Sequence, residues 1–447
     1  MKHHLTPIIV LLSVCAATPA AAQTQSLRPY KALFGGATND PSVKQSLDVT
    51  ISVAEGYDDD VLADNGATGV GAAVGPPLSG VYTDFSPALT YVWGSDGVQL
   101  SAMSSASVRY YQPEHEFLGT TYFGSFGLSM GSRRTHFSVD QSVNYSPAYF
   151  YGLFPQFDST EVAGTVTTVG PGRDYAVHND PALIYYTSAA LTRDLTQRSS
   201  ISVAGTYSYT DLATGVIDRQ DLRSYSVGGR YLYSISRYST LHLGYTYREG
   251  QYSYEVRPQS VEAHDIDIGV DYHRPLSFSR RTHIDFSVGS SLVTTPTFDS
   301  NTEQGLQYRL VAGAGLSHDM GRTWRARVAY DRSLGFVPGI RDPLFSDSVN
   351  TSLDGFLNRR VDLHVAGGLS FGKSAVVSLE QNDFRTYTGS ARLRSAITKS
   401  WALFAEYVYY SYNLGQAILT TTAGVPQALD RNTVRVGLTT WLPLMRK

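Results

Sequence analysis

Residues 97–110 read GVQLSAMSSASVRY, and two kinds of side chain alternate along the whole stretch. A period of two is typical of a β-strand whose two faces meet different surroundings. The stretch exceeds the ~5–6 residues of an average globular strand and fits the ~9–11 residues that a tilted strand needs to cross a bilayer. One face carries Val98, Leu100, Ala102, Ser104, Ala106, Val108 and Tyr110.

The same alternation recurs in 134–145, 201–209, 241–247, 265–272, 283–288, 324–331 and 434–441. Beyond the N-terminal residues, no stretch approaches the ~18 uninterrupted apolar residues of a transmembrane helix. Long alternating strands without apolar helices predict an all-β fold, namely a transmembrane antiparallel up-and-down β-barrel. A soluble secreted all-β protein also alternates and is the alternative.

Short and long connections also alternate, which is the layout of bacterial outer-membrane barrels. Tight links are predicted at 94–97, 131–133, 192–194, 236–238, 318–322, 372–373 and 398–400. Longer polar connections are predicted at 58–80, 111–118, 146–181, 212–220, 248–262, 293–305, 332–356 and 413–431. Pairing these segments gives about eighteen strands, provided that a turn near Asn382-Asp383 divides 374–398; without that turn the count is sixteen.

The N-terminus has the pattern of an export signal. A basic stretch at 2–4 precedes an apolar run at 5–17, and Ala20-Ala21-Ala22 then provides a cleavage site. The predicted organisation is a signal peptide at 1–22, a periplasmic N-terminal segment or barrel plug at 23–46, and a barrel at 47–447. Export of this kind predicts the outer membrane of a Gram-negative cell.

The composition excludes several classes of protein. Tyrosine is frequent, at 31 residues, and the tyrosines cluster at strand ends, where an aromatic girdle of a barrel would lie. The net charge of −3 argues against a nucleic-acid partner, since such proteins carry a basic excess. Cleavage of the signal would remove Cys15, the single cysteine, so we expect neither a disulfide nor a cysteine-based metal site.

Three hairpins share one style. Leu191-Thr192-Arg193, Ile235-Ser236-Arg237 and Ile397-Thr398-Lys399 each close a strand and precede an alternating strand that ends in tyrosines, at Tyr207/Tyr209, Tyr245/Tyr247 and Tyr407/Tyr409. These tracts, with 402–407 in particular, resemble β-barrel porin family 2, whose members are outer-membrane proteins often associated with exopolysaccharide gene clusters. The resemblance implies a barrel and a porin-like function. The C-terminal Met445-Arg446-Lys447 departs from the terminal aromatic residue of many barrels.

If the apolar face of each strand meets lipid, the polar face lines the lumen. Arginines on the predicted inward face would form a cationic wall that favours anionic solutes, with an anionic wall on two preceding strands. In the alternative interpretation these charges pair with one another and fill the lumen. The candidates are Arg309, Arg325, Arg327, Arg360, Arg392, Arg394 and Arg435 on one side, and Asp265, Asp267, Asp271 and Asp285 on the other.

Two loop features are secondary candidates. The stretch 146–181 is rich in aromatic residues, which could narrow the lumen or stack on sugars, unless it is an ordinary external loop. Its candidate contact residues are Tyr149, Tyr151, Phe154 and Phe157. The acidic run Asp58-Asp59-Asp60, with Asp64, could bind a divalent cation, although a solvated turn is the simpler interpretation.

No enzyme, metal or cofactor is predicted. His283/Asp285 and Asp362/His364 each share a strand face, but neither pair has a nucleophile or an orienting group near it in sequence. Two functions remain. The first is a channel or conduit for hydrophilic solutes or saccharides. The second is a structural barrel whose loops bind surface polysaccharide or an export partner. Either would lie among outer-membrane lipid and lipopolysaccharide, and the oligomeric state stays open.

Overall fold

The computed structural model describes residues 44–61, 79–111, 118–147, 182–212, 221–253, 259–272, 282–294, 306–321, 323–338, 343–375, 383–414 and 428–447. The described residues form eighteen β-strands. They are β1 (Gln45–Asp58), β2 (Gly80–Ser95), β3 (Val98–Tyr111), β4 (Leu118–Gly131), β5 (Thr135–Ser146), β6 (Ala182–Asp194), β7 (Ser199–Leu212), β8 (Asp221–Ser236), β9 (Ser239–Ser253), β10 (Gln259–Tyr272), β11 (Thr282–Thr294), β12 (Leu306–Met320), β13 (Trp324–Gly335), β14 (Leu344–Phe356), β15 (Val361–Ser374), β16 (Asp383–Ala396), β17 (Trp401–Leu414) and β18 (Ala428–Arg446).

The strands close into one barrel. Each strand pairs antiparallel with its neighbour in sequence, and β1 pairs with β18 as well as with β2. In this closing pair Val53 lies opposite Leu438, and on the other side it lies opposite Phe85. Closure leaves no unpaired strand edge, so backbone groups are satisfied within the sheet. The predicted all-β antiparallel up-and-down barrel is confirmed, with the larger of the two predicted strand counts.

Among the described residues, no helix is long and apolar enough to cross a membrane.

The two faces of the barrel differ as the alternation predicts. Large apolar side chains point outward and stay exposed, and they lie opposite one another on adjacent strands, as Leu243, Ile268 and Val288 do. The residues between them are mostly polar and point inward. A continuous exposed apolar surface is unusual for a soluble monomer and is typical of a surface that meets lipid or another protein.

One end of the barrel, which we call the turn end, has very short connections. Four of its turns share one hydrogen-bond pattern, in which a side-chain oxygen accepts from the backbone N–H groups two and three residues later in the chain. The accepting residues are Thr196, Ser236, Asn358 and Thr398. Such local bonds satisfy backbone donors that a tight turn leaves unpaired. The opposite end, where β1 ends and β2 begins, is called the loop end.

Several predicted connections are wrong in detail. The predicted link at 372–373 lies inside β15, and the predicted link at 192–194 forms the last three residues of β6, whose turn follows at 195–198. The predicted loop 332–356 contains β14, and the tight turn after it, 357–360, was not predicted. The break near Asn382-Asp383 is present, because β15 ends at Ser374 and β16 begins at Asp383.

Candidate functional site

The inner wall of the barrel carries most of the predicted charges. Ten of the eleven candidates alternate with outward apolar residues on their strands, as Arg309 does between the exposed Tyr308 and Leu310. They lie on β10 (Asp265, Asp267, Asp271), β11 (Asp285), β12 (Arg309), β13 (Arg325, Arg327), β16 (Arg392, Arg394) and β18 (Arg435). The strand position predicted for Arg360 is wrong: this residue is exposed in the turn 357–360, where its backbone N–H donates to Asn358.

The inward aspartates of β10 are paired with cations of β8 and β9. Arg248 Nε lies 2.6 Å from Asp265, and Arg230 lies 2.9 Å from Asp267. His242 is buried between two carboxylates, with Nε2 3.2 Å from Asp267 and Nδ1 3.2 Å from Asp271. Because Arg230 and Arg248 neutralise carboxylates of β10 from neighbouring strands, β10 is not a purely anionic wall.

The inward arginines are likewise interleaved with carboxylates. Arg394 Nε donates to Asp362 at 2.9 Å, and the two residues lie directly opposite each other on β16 and β15. The same holds for Arg435 and Glu406 at 2.8 Å, and for Arg325 and Asp319 at 2.6 Å. Each pair joins adjacent strands. The first interpretation, with one cationic and one anionic wall, is therefore wrong for these residues, because arginines and carboxylates lie side by side on neighbouring strands.

Arg392 differs from these arginines. Its Nε atom is buried and has no hydrogen-bond partner among the described residues. It lies directly opposite Glu406 on one side and His364 on the other, two residues from Arg394. His364 is already engaged, with Nδ1 2.5 Å from Asp354. Arg392 is therefore an inward cation without an ion pair among the described residues.

A buried polar cluster lines the loop end between β18, β1, β2 and β3. Asp58 accepts from Arg431 Nε at 2.9 Å and from the Tyr111 hydroxyl at 2.8 Å. Arg109 lies 3.5 Å from Asp84 and 4.0 Å from Asp58, with its guanidinium over the ring of Tyr82. Both Asp58 and Arg431 have 0 % of their surface exposed. We call these residues the polar cluster.

This geometry corrects the interpretation of the acidic run. Asp58 is neither solvated nor available to a cation, because arginine and tyrosine occupy its carboxylate. Asp59 accepts from the backbone and side chain of Asn432. Among the described residues no group of three or more His, Cys, Asp and Glu side chains could hold a metal ion, and Asp64 lies outside that part of the chain.

A second feature of the loop end was not predicted. Arg248 Nη1 of β9 donates to the carbonyl oxygen of Leu334 at 3.1 Å, and Phe336 lies so close to Gly250 that a Cβ there would be 2.5 Å from its ring. Strands β9 and β13 are four positions apart in the wall, so this contact crosses the lumen. The tip of the β13–β14 hairpin therefore bends inward. Its apolar cluster comprises Leu222, Tyr252, Val261, Ala263, Val293, Leu334, Phe345 and Ala375, with Val311 and Phe336 packed against it.

We call the described residues 334–338 and 343–345 the hairpin tip. The sequence offered one signal for it, since Phe336 and Val337 are apolar residues within an expected polar loop. The predicted constriction was a different one, and its aromatic residues Tyr149, Tyr151, Phe154 and Phe157 lie outside the described residues.

The two histidine–carboxylate pairs do not form a joint site. Asp362 is bound to Arg394, and His364 is bound to Asp354. His283 and Asp285 share the inner face of β11, where the Asp285 carboxylate lies against Gly315 of β12.

No protein-family model matches the chain, and no curated protein is significantly similar to it. Among solved structures it is similar to OccAB3 of Acinetobacter baumannii, with 8% identity over 89% of this chain and 99% of that one, at a TM-score of 0.40. It is also similar to OccK2 (OpdF) of Pseudomonas aeruginosa, with 9% identity, coverage of 90% and 98%, and a TM-score of 0.42. The siderophore receptor PirA of Pseudomonas aeruginosa gives 10% identity, coverage of 89% and 80%, and a TM-score of 0.41. Likeness at this level does not extend to solute or activity.

Proposed function

We propose that the protein is an outer-membrane channel for small hydrophilic solutes. The observation that carries the proposal is a closed barrel of eighteen strands with an exposed apolar outer face and a charged inner face. Barrels of 16–18 strands are wide enough for an aqueous lumen, whereas eight strands enclose only side chains. The apolar outer face, together with the export signal predicted at residues 1–22, supports a location in the outer membrane of a Gram-negative cell.

The inner wall supports passage of polar solutes with weak charge preference. Several inward arginines, among them Arg394 and Arg435, are matched by carboxylates, so their fields partly cancel, whereas Arg392 has no ion pair among the described residues. We infer a modest preference for anions. The resemblance to β-barrel porin family 2 leads us to include acidic saccharides among the solutes.

A second function is favoured by the loop end of the lumen. Arg431, Tyr410 and Phe384 point inward from three strands, yet each is at most 1 % exposed. Together with the hairpin tip, this burial supports a lumen that is narrow or closed at this end. A barrel of that kind would present its loops to surface polysaccharide or to an export partner.

Single-channel recording separates the two functions. The refolded protein is inserted into a planar bilayer, and the conductance and the reversal potential under a salt gradient are measured. Steady openings with a small anion preference support the channel. A folded barrel that never conducts would reject it in favour of the interaction barrel.

A further inference from the structure

Three cations lie near one another on the outer face of the barrel, at the loop ends of β13, β15 and β16. They are Arg332, Lys373 and Arg385. Lys373 and Arg385 are exposed, and no ion pair of either occurs within the part of the chain that the structure describes. Arg332 lies 3.3 Å from Asp347, and its side chain is 37% exposed.

Each cation lies two residues beyond an outward aromatic ring on the same strand. The rings are Tyr330, Phe371 and Tyr387, of which the last two are each 45% exposed. Phe371 lies directly opposite Arg385, and Lys373 is opposite Asp383. Lys373 and Arg385 are therefore diagonal neighbours, about 7–8 Å apart at their Cα atoms. On each of these strands, an outward aromatic ring is therefore followed by a positive charge in the direction of the loop end.

The rest of this outer rim is different. Glu55 of β1, Glu249 of β9 and Glu262 of β10 occupy the corresponding outward positions on other strands. The outward Arg223 of β8 lies over the ring of Tyr209, with 5.2 Å from its guanidinium carbon to the ring centroid. Within β13–β16, Asp347 is occupied by Arg332 and by the Tyr330 hydroxyl, which leaves Lys373 and Arg385 against the single carboxylate of Asp383.

We propose that Arg332, Lys373 and Arg385, which we call the outer basic patch, bind the phosphates of an outer-leaflet glycolipid, while its acyl chains lie on Phe371 and Tyr387. Arginine and lysine bind phosphate oxygens well, and aromatic rings favour the boundary between headgroups and acyl chains. Arg332 and Arg385 are three strands apart, or roughly 14 Å. That separation suits a headgroup with two phosphates better than a single phosphodiester. The inference rests on the proposed membrane location and not on channel activity.

The test is native mass spectrometry of the full chain, refolded without lipopolysaccharide and titrated with bisphosphorylated lipid A. The variant K373Q/R385Q should bind about tenfold more weakly, as expected for the loss of two exposed charge contacts. R223Q is the matched control, since it removes an outward cation on a distant strand, and it should bind like the wild type. Unboiled-gel mobility and single-channel conductance should be unchanged in both variants.

Three outcomes would overturn the inference: equal binding by K373Q/R385Q, equal binding of dephosphorylated lipid A, or equal binding of phosphatidylglycerol. The last would mean that the patch accepts any anionic lipid. A protein that binds lipid A through these residues but never conducts would refute the channel and leave the glycolipid site standing.

Discussion

The polar cluster and the hairpin tip occupy the same end of the lumen but are built differently. In the polar cluster, Asp58, Arg431 and Arg109 come from adjacent or next-adjacent strands, so their contacts follow the wall. The hairpin tip reaches across four strand positions and is joined to β9 by the Arg248–Leu334 hydrogen bond and by Phe336 at Gly250. The difference suggests that the polar cluster stabilises the barrel, whereas the hairpin tip sets how much of the lumen is open.

The largest expected effect is on stability, from Arg431→Leu. This change leaves the Asp58 carboxylate buried without its main partner, which costs about 3–5 kcal/mol. The free energy of unfolding, measured by urea titration in vesicles, should fall by that amount. The double variant Asp58→Asn/Arg431→Leu should recover part of the loss, because no uncompensated charge remains. An unchanged urea midpoint for Arg431→Leu would mean that the polar cluster does not stabilise the barrel.

The next effect is on conductance, from Phe336→Ala. Loss of the ring removes the packing of Phe336 against Gly250, so the hairpin tip should leave the wall of β9. Single-channel conductance should rise, while the urea midpoint of the barrel changes little. Phe286→Ala is the matched control, because Phe286 is exposed on the outer face. If both variants conduct like the wild type, the hairpin tip does not limit the passage.

A smaller effect is expected from Tyr111→Phe, which removes only the hydroxyl that donates to Asp58. A hydrogen bond to a charged group contributes about 1.5–3 kcal/mol, and Arg431 remains in place here, so the lower value applies. Urea titration should detect the loss, and conductance should stay constant. A change in conductance instead would show that the polar cluster also shapes the passage.

The smallest effect is expected from Arg392→Gln, which should reduce the anion preference without altering conductance greatly. Arg385→Gln is a sharp control, since it changes the same residue type on the same strand but on the outer face. The reversal potential under a salt gradient is the measurement. Equal reversal potentials for Arg392→Gln and the wild type would mean that solutes do not pass along β16.

For ten of the eleven candidate charges, alternation predicted the inward direction, because a strand has only two faces; the prediction for Arg360 failed because this residue lies in a turn. Alternation did not predict pairing between charges: Arg394 meets Asp362 only because β15 and β16 align in one register, and register is not visible in a single strand. The prediction of separate charged walls therefore left out the carboxylates, such as Asp362, that lie between the arginines.

Gly372 shows why a predicted turn failed. Glycine followed by lysine resembles a turn, but a Cβ at Gly372 would collide with the Phe345 carbonyl oxygen and would lie 2.8 Å from the Phe384 ring. This glycine permits close packing inside β15 rather than a change of chain direction. The hairpin tip escaped prediction for a related reason, since contacts across the lumen join residues such as Arg248 and Leu334 that are 86 positions apart.

The pairing of β1 with β18 has a consequence for biogenesis. The bond between Asp58 and Arg431 joins residues 373 positions apart, so the seam can form only after every intervening hairpin has been delivered. Contacts this distant in sequence are slow to form. Until then the sheet has two unpaired strand edges, which can pair with another chain. A chain that lacks β18 would therefore keep both of these edges open.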